Sequence, residues 1–127
     1  MNGELDFGIA EMFFSTKKRL NRLRYFKRTL ALGLIFLGIS LSLGMLSPDT
    51  SAEEVSLVGL LLYLVIAAAI LVSTIMLSIR RLHDINMSGW LVLLSLIPFV
   101  DAIFQLFLLF KKGTDGDNDY GPDPLKI

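Results

Sequence analysis

Apolar residues fall into three long runs, 29–47, 55–79 and 90–110, with a basic segment ahead of the first and a polar tail after the last. A helix rises about 1.5 Å per residue, so a hydrocarbon layer of about 30 Å takes roughly 20 residues to cross. Each run is close to or above that length, and between them they hold one charged residue, Asp101. Burying all three in a soluble core would need far more covering surface than the rest of a 127-residue chain supplies. The pattern predicts an all-α integral membrane protein with three hydrophobic helical spans. Residues 1–28 form a cytoplasmic segment, 29–110 the membrane domain and 111–127 a polar, turn-rich tail. The first run starts late, is long and lacks a small-residue cleavage pattern, so it reads as a retained span rather than a signal peptide.

Before the first run, Leu5, Ile9, Met12 and Phe13 stand at helical spacing, and Leu20, Leu23 and Phe26 continue an apolar stripe beneath basic residues. This predicts a basic amphipathic helix lying on the headgroups. Seven of the 12 Lys and Arg residues lie within 17–28, among them Arg19, Arg22 and Arg24, whereas the loop 48–54 has none and carries Asp49, Glu53 and Glu54. Cationic flanks stay on the cytoplasmic side, which places the N-terminus inside. Hard against a span, such a cluster fits anionic lipid headgroups, and nucleic acid is not expected as a partner.

Small residues punctuate the first two runs. Gly38 with Ser42, and Ala69 with Ser73, are four apart, the spacing that lets helices approach closely in lipid. The simplest expectation is that spans 1 and 2 pack on each other through them. Beyond the second run the helix is expected to continue through Arg80 and Arg81 to Asp84, with Asn86 ending it. Ser88 is placed to cap the next helix and Trp90 to anchor it at headgroup level.

The third run is broken, because Pro98 lacks a backbone donor and disfavours helix at Ile97. Two geometries remain. A single kinked crossing puts Lys111, Lys112 and Lys126 outside; a re-entrant hairpin turning near Pro98 brings them back inside with the other nine cations. Charge favours the hairpin. Length favours the crossing, since 21 residues cannot make two full passes. The crossing is the preferred expectation. Asp101, one turn past the break, and Gln105, one turn further, give this segment a polar face. Ionisable groups at membrane depth are functional candidates, although an Asp hydrogen-bonded to Gln105 or to Ser and Thr of span 2 is an equal reading.

Composition adds exclusions. Hydrophobic residues make up 54% of the chain and the mean hydropathy is +0.64. There is no Cys, which removes disulfides, thiolate catalysis and cysteine-held metals. His83 is the only histidine, so a zinc site would have to recruit carboxylates alone, and no metal or cofactor is expected. The sequence from Asp115 to Asp119 resembles a calcium loop only superficially: its sixth position is Tyr120 and its twelfth Lys126. Arg80, Arg81, His83 and Asp84 are the best lipid- or partner-binding candidates. Two guanidiniums can clamp a phosphate or carboxylate, and the plainer alternative is an Arg80–Asp84 pair, four apart, that fixes the loop.

The ordered motifs Arg19-Leu20-Asn21-Arg22-Leu23-Arg24-Tyr25-Phe26, Arg80-Arg81-Leu82-His83-Asp84, Ser88-Gly89-Trp90, Ile97-Pro98, and Gly113-Thr114 through Asn118, Tyr120, Gly121, Pro122, Asp123 and Pro124 resemble a family of small bacterial inner-membrane proteins, domain of unknown function 805. The resemblance runs from about Lys17 to Pro124. It implies an inner-membrane location and marks Ser88, Gly89, Trp90, Pro98, Asn118, Tyr120, Gly121, Pro122 and Asp123 as structural motif positions, with the tail an ordered cap. The family usually has Gly before the entry arginine, where this chain has Lys18, and a small residue near Asp101. It brings no settled activity.

Three functions follow in order of expectation. The first is a non-enzymatic adaptor or regulator acting through Arg-rich cytoplasmic surfaces on lipid, a protein partner or further copies of itself. The second is an oligomeric transporter or ion path using Asp101. The third is a lipid-headgroup enzyme with His83 and Asp84 as acid–base pair, for which no nucleophile or phosphate loop is present.

Overall fold

The structure, a computed structural model, describes residue 6 and residues 8–45 and 56–126; Leu5 and the acidic loop 48–54 lie outside the described residues. Its order is α1 (Ile9–Phe13), α2 (Arg22–Met45), α3 (Leu57–Asp84), a 3-10 helix (Gly89–Leu96) and α4 (Pro98–Phe110). Among the described residues the only β feature is an isolated bridge between Asn118 and Gly121.

Two helices are long and apolar enough to cross a membrane, Arg22–Leu43 and Leu57–Asp84, and only 6% and 11% of their most apolar windows are buried within the protein. A core helix of a soluble protein would be mostly covered. Here the flanks are bare hydrocarbon: Val65 is 67% exposed, Leu34 59% and Leu62 58%. The third apolar run does not make a third such helix. Gly89 allows the 3-10 helix to run against α3, since a Cβ there would meet Ile79 Cγ2 at 2.9 Å. The chain then reverses at Ile97, extended at φ −101°, ψ 110°, and Pro98 opens α4, where its missing donor costs nothing.

The ends settle the geometry of this segment. The N–H of Thr114, just past α4, donates to the carbonyl of Asp84 at the end of α3 (2.8 Å), and Leu20, just before α2, donates to the carbonyl of Arg80 (3.2 Å). The start of α2, the end of α3 and the end of α4 therefore meet at one end of the molecule. The expected kinked crossing is corrected to a hairpin. The physical reason is rise per residue: eight residues of 3-10 helix descend about 16 Å and thirteen of α-helix return about 20 Å. Each limb reaches roughly half of a bilayer core.

The basic segment also departs from expectation. It is not one amphipathic helix, because Lys18 has φ +66°, outside any right-handed helix. Asn21 instead caps a new helix, its side chain accepting from the N–H of Arg24 (2.9 Å), so the basic residues from Arg22 onward are the first turns of α2. Leu20, expected in the lipid-facing stripe, is fully buried, while Leu23 and Phe26 are exposed. The small core gathers at this same end: Leu20, Tyr25, Leu77, Leu82, Phe104 and Leu108. The small residues do not close α2 onto α3. A Cβ at Gly33 or Gly38 would meet nothing within 4 Å, and Ser73 donates instead to the carbonyl of Phe13 at 2.8 Å. Contact between the outer parts of α2 and α3 includes the rings of Phe36 and Tyr63, 6.0 Å apart.

Candidate functional site

At the closed end, α3 stops in a left-handed turn. Asn86 has φ +60°, its N–H bonds to the carbonyl of His83 (3.1 Å) and that of Met87 to Leu82 (2.9 Å), which satisfies the last helical carbonyls. Ser88 then caps the 3-10 helix, accepting from the N–H of Trp90 (3.4 Å). These caps hold the last turn of α3 in the middle of the junction, with the N-terminal segment on one side and the tail on the other.

Two arginine–carboxylate clusters follow from that placement. In the first, Asp84 receives Arg19 Nε at 3.1 Å on Oδ1 and Arg81 Nη1 on Oδ2. Arg19 spends its remaining donors on tail carbonyls, Thr114 at 2.6 Å, Gly116 at 2.6 Å and Gly121 at 3.2 Å. Arg81 donates to the carbonyls of Leu108 (2.7 Å), Leu20 (3.3 Å) and Lys111. Both side chains are 0% exposed, and a Cβ at Gly113 would fall on the Asp84 carboxylate, 2.7 Å from Cγ. Gly113 is thus the position that lets the tail cross the clasp.

In the second, Asp6 receives Arg28 (2.7 Å) and Arg80 (3.0 Å), while Lys18 lies 4.0 Å away and pairs with Glu11 (3.1 Å). Arg80 also donates to the carbonyls of Glu11, Met12 and Lys18, and Arg28 to that of Met12. Burial pushes the Asp6 carboxyl upward, but the hydrogen bonds and charges of Arg28 and Arg80 outweigh it and hold it below the ordinary carboxylate value.

This arrangement changes the candidate list. Arg80 pairs with Asp6, not with Asp84 four residues on, and the i,i+3 neighbour Arg81 takes Asp84. Arg19, Arg80 and Arg81 are spent on internal acceptors and do not offer a clamp to an outside phosphate. Among the basic candidates, Arg22 is exposed and Arg24 half-buried, with Lys17, Lys27, Lys111 and Lys112 exposed around them. Asp6, Gly113 and Tyr25 went unmarked as site residues by sequence reasoning. Asp6 lies 74 residues from Arg80, and no local spacing signals such a pair.

The tail is an ordered lid. Asn118 and Gly121 exchange backbone hydrogen bonds at 3.1 Å, Asn118 Oδ1 caps the turn by accepting from Tyr120 (2.9 Å), and its amide donates to the carbonyl of His83 (2.8 Å). Asp123 accepts from the N–H groups of Leu125 (3.0 Å) and Gly116 (2.9 Å). These bonds, that of Leu125 foremost, hold its carboxyl below the usual value. His83 stacks on Tyr120, centroids 4.1 Å apart and planes at 5°. Asp84 and His83 are committed to different partners and are not assembled as an acid–base couple. Among the described residues no group of three metal-ligating side chains occurs.

Deeper, the polar face of α4 is also tied inward. Gln105 donates to Asp101 Oδ1 (3.1 Å) and accepts from the phenol of Tyr25 (2.8 Å), beside which the Ser78 hydroxyl lies at 3.3 Å. This chain links α4, α2 and α3 beneath the clasp.

A family described as protein of unknown function (DUF805) matches residues 13–122. The chain is 36% identical over 109 residues to inner membrane protein YhaI of Escherichia coli (strain K12), covering 84% of this chain and 82% of that protein. It is 47% identical over 45 residues to inner membrane protein YhaH of the same organism, covering 35% of this chain and 37% of that protein, little more than a third of its length. No solved structure matches. The matched segment takes in both clusters' arginines, the hairpin and most of the lid, and the chain belongs to the DUF805 family of inner-membrane proteins.

Proposed function

We propose that this protein is a non-enzymatic adaptor or regulator of the inner membrane, crossing twice, with its N-terminus and its lid both on the cytoplasmic side and the hairpin dipping in from that side. The observation that supports this reading is the use of the buried charges. Arg19, Arg80, Arg81, Asp6 and Asp84 build a rigid platform, and exposed cations, among them Lys17, Arg22, Lys27 and Lys111, ring it at the membrane boundary. Each cation near an anionic leaflet contributes about 1 kcal/mol of attraction, so the ring seats the platform on lipid headgroups and leaves its outer surface to a partner. Reporter fusions at residue 1 and after residue 127 both read cytoplasmic under this topology; a periplasmic signal from either refutes it. Capture in mild detergent at native expression recovers a defined partner, weakened by Arg24→Ala plus Lys27→Ala. Recovery of none refutes the adaptor role.

A second reading, an ion path in an oligomer, has the hydrogen-bonded chain from Asp101 through Gln105 and Tyr25 to Ser78 behind it. Equal ion flux through vesicles carrying the wild type and Asp101→Asn removes it.

A further inference from the structure

Three separate stretches of the chain converge on one groove that the clasp does not use. The groove, about 440 Å³, runs between α3 and the 3-10 helix and is lined among others by Ile79, His83, Ser88, Trp90, Leu93 and Tyr120. That volume lies within the ~300–1,000 Å³ typical of small-molecule sites. Its floor is close-packed: a Cβ on Gly89 would meet Ile79 Cγ2 at 2.9 Å and His83 Nε2 at 3.3 Å, and Tyr120 holds the imidazole from the lid side by stacking. Yet Trp90 is 79% and Tyr120 37% exposed, so neither is there to fill the core.

We infer that this groove binds one phospholipid of the leaflet that surrounds the platform, its phosphate and ester region at the mouth and an acyl chain along Ile79 and Leu93. The inference stands on the membrane location and not on the adaptor reading.

Two observations select this occupant. The groove leads onto the lipid-facing surface: Ile75, one turn before Ile79 on α3, and Leu96, one 3-10 turn after Leu93, are exposed, as is Leu93 itself. Its other end is lined by Thr16 and by Tyr120 of the lid. A ligand lying there is apolar at one end and wet at the other. The mouth also offers donors, for the indole N–H of Trp90 and the hydroxyls of Ser88 and Tyr120 can all donate. Phosphodiester and ester carbonyl oxygens only accept. Aromatic side chains with one polar tip suit such a boundary.

Trp90 is the single tryptophan of the chain and therefore a built-in reporter. The full-length protein in maltoside micelles is titrated with phosphatidylglycerol brominated on its acyl chains, and Trp90 fluorescence is read. The expected result is saturable quenching at one phospholipid per chain, with half-saturation raised at least ten-fold by Tyr120→Ala and unchanged by Phe99→Ala at the far tip of the hairpin. Brominated diacylglycerol, which lacks the phosphate, binds at least ten-fold more weakly. Quenching that grows linearly without saturation, or equal effects of the Tyr120 and Phe99 variants, overturns the site. Equal binding of diacylglycerol overturns phosphate recognition. Helicity measured on each variant separates loss of the groove from loss of the fold; should Tyr120→Ala unfold, native mass spectrometry of the wild type decides, since absence of a retained phospholipid overturns the proposal.

Discussion

Replacing Asp84 by Asn removes the negative charge that is bonded to two buried guanidiniums. The Arg19 and Arg81 side chains are 0% exposed and Asp84 is 4% exposed, so water cannot take over the lost interaction. Both arginines keep their carbonyl acceptors, three on Arg19 and three on Arg81, but carbonyl dipoles do not balance two positive charges. Removing one partner of a buried pair costs about 3–5 kcal/mol, or roughly two to three and a half powers of ten in the folded-to-unfolded ratio. The loss should centre on the cap. Unfolding in mixed micelles, followed by Trp90 fluorescence and helicity, gives the magnitude. Amide exchange at Thr114, which donates to the Asp84 carbonyl, and at Gly121 gives the place. Asp84→Asn should speed exchange at both while leaving the middle of α2 and α3 protected. A variant within about 1 kcal/mol of wild type, with unchanged exchange at Thr114, would refute the clasp as the element that holds the lid.

Other outcomes follow from the same geometry. Lys18 occupies the left-handed region, where a side chain costs about 1–2 kcal/mol; Lys18→Gly should therefore raise the unfolding midpoint despite losing its half-exposed pair with Glu11, and a lowered midpoint counts against this. The Asp6 carboxyl is held below the ordinary value of about 3.9. Its contribution is thus present above that value and lost as pH falls through the folded one, so Asp6→Asn should flatten the acid limb of a stability–pH curve below about pH 4. Gly113→Ala, which drives a Cβ into the Asp84 carboxylate, should destabilise the lid about as much as Asp84→Asn, judged by the same exchange at Thr114. Tyr25→Phe breaks the link to Gln105 and should cost about 0.6–1.7 kcal/mol, the range for hydrogen bonds between membrane helices.

Much of the architecture is readable from residue order because hydrocarbon imposes strict length rules. The runs that became α2 and α3, the stop at Asn86, the cap at Ser88 and the Asp101–Gln105 pair one turn apart all rest on local spacing. The hairpin was harder. Length excludes two full passes but not two half-depth limbs, and eight residues of 3-10 helix and thirteen of α-helix make limbs of about 16 and 20 Å. The cation count, twelve on one side against none for a hairpin, points the same way as the hydrogen bond that ties the chain past α4 to the end of α3. Choosing between Arg80 and Arg81 as partner of Asp84 was beyond spacing rules, since both i,i+3 and i,i+4 are allowed on a helix. Tertiary placement of Asp6 and of the tail decided it. The family's glycine preference before the entry arginine has a physical basis here, in the positive φ of Lys18.

Arg19 is translated early, yet three of its acceptors, Thr114, Gly116 and Gly121, lie 95, 97 and 102 residues downstream. During synthesis Arg19 meets Asp84 once α3 is made, but its other donors stay hydrated until the tail turns emerge. A nascent chain stalled before Gly113 already carries every partner of Arg81 named above but none of the three tail carbonyls of Arg19, so the Arg19 guanidinium is the group that marks an unfinished molecule.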